Sequence, residues 1–249
     1  MNGGSKAFSA FAKIFETGAP QLISRERIAD TQTPVSAYLK LAAGTPNSFL
    51  LESVEGGEVR GRFSVIGLAP DLIWRCRGQR AEINRDPAKS DDFDVVDDNP
   101  IESLRALMAE SAMQDTGGLP PMAAGLFGYF GYDMIRQIET IPDSSETVID
   151  TPDSMLLRPS LIAIFDRLRD SITLVTQIRP ADWDDAAGAW NVAQSRLSNA
   201  MLALEAPTPP TEAGGDDAVL PAPQSNMTKS DFTSIVAKAR DYIRAGEIF

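Results

Sequence analysis

The sequence predicts an α+β fold, and three observations carry that prediction. Amphipathic helical stretches alternate with short apolar or β-branched runs, the runs couple through local turns as antiparallel hairpins, and no internal repeat recurs along the 249 residues. The elements follow in order. Phe8, Phe11 and Phe15 recur at helical spacing. Lys13 and Glu16 interrupt them, and neither an apolar core nor a small-residue cleavage site of a signal peptide follows. Thr33 caps a second helix with Pro34 at its first position and Gly44 beyond its end.

The most informative segment comes next. Ser48 to Val54 is a short, bulky apolar run that ends in the polar pair Glu52-Ser53, and Glu55-Gly56-Gly57-Glu58 supplies a reversal. Arg62 to Ile66 is the return limb, with Phe63 and Val65 alternating with Ser64 before Gly67 breaks the pattern. Glu52 and Ser53 then face Arg62 and Ser64. A carboxylate, a guanidinium and two hydroxyls gathered there suit the ammonium and carboxylate of a free amino acid. An edge hairpin carrying one surface ion pair accounts for the same spacing.

Leu72 to Cys76 and Arg80 to Asn84 read as two further strands joined through Gly78. The acidic stretch Asp91-Asp92-Phe93-Asp94 and Asp97-Asp98 lacks the ligand spacing of a calcium loop and reads as a solvated loop. Asn99 and Pro100 open a helix whose Ile101, Leu104 and Met108 share a face. Gly125, Gly128 and Gly131, interleaved with aromatic residues, do not form a phosphate fingerprint and predict a strand in close backbone contact. Ser160 to Phe165 and Ser171 to Gln177 form a hairpin through Arg167-Leu168-Arg169-Asp170. A long helix follows, with Trp183, Ala187, Trp190, Leu197, Met201 and Leu204 as its packing stripe and Asp182, Asp184 and Asp185 at its positive end. Proline, glycine and acidic residues from Glu205 to Gln224 mark a connector. Thr228 and Asp231 cap a last helix with Phe232, Ile235, Val236, Ala239 and Ile243 on one face, closed by Gly246. That face asks for a partner, and the sequence predicts a fold that continues past Phe249.

Composition excludes several classes. A net charge of −12 without a basic cluster argues against a nucleic-acid binder. No apolar stretch of about 18 residues is present, so no membrane helix is expected, and the cytoplasm is the default location. Cys76 is the only cysteine, which excludes an internal disulfide, fits a reducing compartment and reads as a packing residue. The absence of histidine removes Ser-His-Asp and Cys-His machinery and any histidine-ligated metal. No catalytic residue is assigned.

Five segments in one order carry a resemblance: Thr33 to Leu41; Pro46 to Glu55 with Gly61 to Gly67; Gly125 to Arg136; Pro152 to Pro159; and Ser225 to Thr228 with Ala239 to Phe249. Together they resemble the N-terminal portion of the large subunit, component I, of anthranilate synthases, members of the chorismate-utilising enzymes. The resemblance implies the first half of a β/α/α/β sandwich, with a regulatory region over 1–204, a linker over 205–227 and the start of a chorismate-binding region over 228–249. It implies conversion of chorismate to anthranilate and pyruvate with Mg2+ and with ammonia from a glutamine amidotransferase subunit, component II. The magnesium ligands, the chorismate contacts and a catalytic histidine are implied to lie beyond Phe249. For this chain it implies an L-tryptophan feedback site at Ser53 and Glu52, with Arg62, Phe63 and Ser64 on the facing strand. Aminodeoxychorismate synthase shares parts of these motifs and is the alternative enzyme. A stand-alone amino-acid-binding module is the non-catalytic alternative.

Overall fold

The chain runs through α1 (Gly3–Phe15), β1 (Gln21–Ile28), α2 (Pro34–Ala42), β2 (Phe49–Glu52), β3 (Phe63–Arg77), β4 (Arg80–Asn84), β5 (Asp94–Val96), α3 (Pro100–Ser111), β6 (Phe127–Phe130), β7 (Ser154–Asp166), β8 (Ser171–Ile178), α4 (Ala186–Glu205) and α5 (Lys229–Ala245). The structure is a computed structural model that describes residues 3–42, 44–52, 61–113, 115–142, 149–210 and 222–249. Two units separate by internal contact, Met1–Pro209 and Pro210–Phe249.

In the first unit the strands form one sheet in the order β1-β8-β7-β3-β4-β5, with β2 added to β3 and β6 added to β7, every pairing antiparallel. The fold is therefore α+β, as the hairpin-rich sequence predicts. Its spine is the β3–β7 ribbon, in register from Phe63 opposite Asp166 to Cys76 opposite Ser154. Each half of the ribbon recruits its own neighbours. β2 and β8 flank the first half of β3 and the second half of β7, whereas β4 and β6 flank the other halves.

The two halves meet at a bulge, and here the sequence expectation is corrected. Gly67 does not end a strand; β3 continues as one element to Arg77. The glycine serves close packing instead, because a Cβ at that position would stand 2.2 Å from the Phe49 ring. The irregularity falls between Pro70 and Leu72, where Pro70 lies opposite Pro159 and Ala69 takes φ 46°. Neither proline has an N–H to give to the ladder, so the register shifts and Asp71 is left outside the pairing.

Helices bury the faces of this sheet. α2 and α4 cover Ile66, Leu68, Ala163, Phe165, Ile172 and Leu174, and α4 does so through Leu197, Ala200 and Leu204. The expected stripe on α4 shifts: Ala189 and Ala193 are buried, Ala187 is exposed and Trp183 precedes the helix. Small residues on that face let the helix lie close to β8 and β1. Trp190 packs instead against α1, with ring centroids 6.0 Å from Phe8 and 5.2 Å from Phe11. In the other half, Leu72, Trp74, Cys76 and Ala81 pack with Leu107 of α3. The buried Trp74 indole donates to Ser103 Oγ at 3.0 Å, which satisfies its one polar group. Asn99 caps α3 by accepting from the Glu102 N–H at 3.0 Å.

The glycine-spaced aromatic segment forms β6 in close contact with β7, where a Cβ on Gly128 would lie 1.9 Å from the Met155 carbonyl oxygen. Two further elements depart from expectation. Asp94–Val96 adds a short strand, β5, where a loop is predicted, and β1 forms where the sequence announces nothing. In the second unit Thr228 Oγ1 accepts from the Asp231 N–H and Gly246 closes α5 with φ 76°. Phe232, Ile235, Val236 and Ile243 are exposed on it. Among the described residues no helix is long and apolar enough to cross a membrane.

Candidate functional site

The strand end picked out by sequence is built by β2, the start of β3 and the β7–β8 turn. Antiparallel register puts Glu52 opposite Ser64 and Leu50 opposite Ile66. Side chains alternate along β3, so Phe63 and Val65 enter the cluster with Ile162, Ile164 and Val175, while Ile66 enters the one beneath α2 and α4. Glu52 and Ser64 thus share a face, as expected. Ser53 lies outside the described residues.

Arg62 and Phe63 are placed differently from the expectation. Arg62 does not turn to Glu52: its Nε and Nη2 fork onto the Asp166 carboxylate at 2.8 and 2.5 Å, and its guanidinium lies 4.8 Å over the Phe63 ring. Asp166 is the register partner of Phe63, so these three groups gather away from Ser64. The Arg62 hydrogen bonds hold the Asp166 carboxyl below the usual carboxylate range, and Asp166 in turn raises the Arg62 pKa. Glu52 is approached instead by Arg167 Nη2 at 3.4 Å. Ser64 is fully buried, and its Oγ has no hydrogen-bond partner among the described residues. An unsatisfied hydroxyl beside a carboxylate is a place where a polar ligand group gains a bond without displacing a protein one.

A second polar site, which sequence reasoning misses, surrounds the bulge. Arg158, 4% exposed, donates from Nε to Asp71 Oδ1 at 2.7 Å and from Nη1 to Glu110 Oε1 at 2.8 Å. Arg85 forks onto the same Glu110 at 3.0 and 2.9 Å. Arg85, then Arg158, hold the Glu110 carboxyl down to about 2 against the opposing effect of burial. Arg179 closes the last turn of α3 by donating to the Glu110 and Ser111 carbonyls at 2.9 and 3.1 Å. These groups border a cavity of about 860 Å³. No local spacing announces them, since they come from five separate stretches of chain. Among the described residues no group of three or more His, Cys, Asp or Glu side chains is placed to hold a metal ion.

Residues 46–249 match the family of chorismate binding enzymes. The chain belongs to that family. Over 245 residues, 98% of its length, it is 42% identical to anthranilate synthase component 1 of Cereibacter sphaeroides, covering 49% of that protein. It is 34% identical to the Pseudomonas putida anthranilate synthase component 1 over 89% of this chain and 45% of the relative, and 34% identical to that of Thermus thermophilus over 89% and 44%. The chain thus spans about half the length of the curated relatives it matches. Its fold matches the crystal structure of anthranilate synthase component I from Streptococcus pneumoniae with a TM-score of 0.57, covering 90% of this chain and 46% of that one at 24% identity. This chorismate-binding-family chain therefore has the α+β fold of those proteins over the part it spans.

Proposed function

We propose that this chain is part of the large subunit of an anthranilate synthase, with residues 1–204 as its regulatory region, 205–227 as a linker and 228–249 as the start of its chorismate-binding region. The single observation that carries the reading is the 42% identity to a component 1 protein across nearly the whole chain. The full-length enzyme converts chorismate to anthranilate and pyruvate in the cytoplasm, using Mg2+ and ammonia delivered by a glutamine amidotransferase partner. Within this chain the strand end is the L-tryptophan feedback site. Glu52 pairs with the ligand ammonium, while Ser53 and the Ser64 hydroxyl, which has no partner among the described residues, hold its polar end. Arg62 and Phe63 act from the opposite face: by clamping Asp166 they hold the β7–β8 turn, and with it Arg167 beside Glu52. Tryptophan inhibits by binding one arrangement of the enzyme more tightly than another, since an effector works only through differential affinity.

The test is a product assay on the full-length gene product supplied with chorismate, ammonia and Mg2+. Anthranilate, with inhibition by L-tryptophan that a Ser53→Ala substitution relieves while turnover persists, is the expected result. Aminodeoxychorismate as product, or no consumption of chorismate, would sink the proposal. Equal loss of turnover and inhibition in Ser53→Ala would reassign Ser53 to a structural role.

A further inference from the structure

We propose that the cavity at the β3 bulge is a binding site for a small oxyanion, a carboxylate or phosphate, received by Arg179 and Arg196. The argument begins with which charges there are already matched. Asp71 and Glu110 are bonded by Arg158 and Arg85, and Asp86 is bonded by Lys89 at 2.6 Å. Two guanidinium groups on the cavity wall remain without a carboxylate of their own. Arg179 is held by backbone and amide oxygens, and its buried Nε has no partner among the described residues. Arg196, half-buried on the flank of α4, forms no hydrogen bond or ion pair among the described residues, and Asp71 acts on it only at longer range. Asp182 lines the same wall, so the uncompensated excess is one positive charge.

Such an excess is out of keeping with a protein of net charge −12. Burial pushes both guanidinium groups below their usual pKa, and the surrounding carboxylates, Asp71, Asp182 and Glu110 for Arg179 and Asp71 for Arg196, offset that solvation cost only in part. An incoming oxyanion removes that cost, and planar guanidinium forks match its geometry better than an ammonium does. Pro20, Pro180 and Trp183 supply an apolar flank to the same cavity, which favours an anion attached to a small carbon skeleton.

The test is thermal unfolding of the protein in sodium phosphate, acetate or benzoate, each against sodium chloride at matched ionic strength. At several-fold excess over its dissociation constant the ligand should raise Tm by about 2–4 °C. Arg196→Gln should abolish that rise without lowering the Tm measured in chloride, because no described residue depends on Arg196 for a bond. Arg196→Lys, which keeps the charge and loses the fork, should retain part of it, whereas Arg105→Gln on the outer face of α3 should retain all of it. A rise with phosphate identifies the phosphate arm, and one with acetate or benzoate the carboxylate arm. No rise with any of the three, or an undiminished rise in a folded Arg196→Gln protein, would overturn the site. None of these readouts involves chorismate or tryptophan, so the outcome is independent of the catalytic and feedback assays.

Discussion

Two arginine–carboxylate clusters stand on the β3–β7 ribbon, one at its Phe63–Asp166 end and one at its central bulge, and they use the same chemistry under different conditions. At the strand end Arg62 keeps a 31% exposed side chain and meets one carboxylate, Asp166. At the bulge Arg158 has a 5% exposed side chain and is shared between Asp71 and Glu110. Water competes for Arg62 and screens its pair, so that clamp contributes orientation more than stability. Arg158 is nearly closed off from water, and its removal leaves Asp71 without its bonded partner and Glu110 with Arg85 alone. Bond geometry at the two places is alike; burial is what separates them.

The largest test of this contrast is Arg158→Ala, which should destabilise the protein by about 3–5 kcal/mol in urea unfolding, as breaking a buried pair does. A loss below about 1 kcal/mol would show that the bulge cluster is solvated like a surface pair. Next is its acid limb. Because the folded Glu110 pKa is depressed from the ordinary value of 4.5 to about 2, the stability it contributes is fully present above 4.5 and is lost as pH falls toward 2. Glu110→Gln should flatten that part of a stability–pH curve, and an unchanged curve would remove Glu110 as its source. Arg62→Gln should lower Tm by much less than Arg158→Ala, while weakening the tryptophan inhibition proposed above for the full-length protein through the loosened β7–β8 turn. A fall equal to that of Arg158→Ala would erase the distinction. The smallest effect is expected of Ser64→Ala, neutral or stabilising by up to about 1 kcal/mol because the hydroxyl it removes has no partner among the described residues. A clear destabilisation there would reveal a bond to Ser64 that the described residues do not supply.

How far each element was legible follows from the range of its signals. The caps at Thr33, Asn99 and Thr228 and the terminating Gly246 act on residues one turn away, so their helices begin and end where the sequence predicts. The β2–β3 pairing was legible for a related reason. Its apolar alternation on both limbs agrees with the register that puts Glu52 opposite Ser64. β1 gave no such signal, since Ser24, Arg25, Glu26 and Arg27 interrupt its apolar residues. It is held by its ladder with β8 and by Arg25, which reaches Ser198 and Gln194 on α4 at 3.0 and 2.6 Å. Gly67 misled because a glycine that admits an aromatic ring and a glycine that ends a strand look alike in a linear sequence.

The sequence by itself determined the α+β class, the bounds of α2 and α5, the start of α3 and the placing of Glu52 opposite Ser64, because each rests on neighbours a few residues apart. Only the tertiary structure decided the partner of Arg62, which is Asp166, 104 residues away, and the assembly of Asp71, Arg85, Glu110 and Arg158 around one bulge. A guanidinium accepts any carboxylate brought within reach, so its own sequence neighbourhood carries no record of which one the folded sheet will bring.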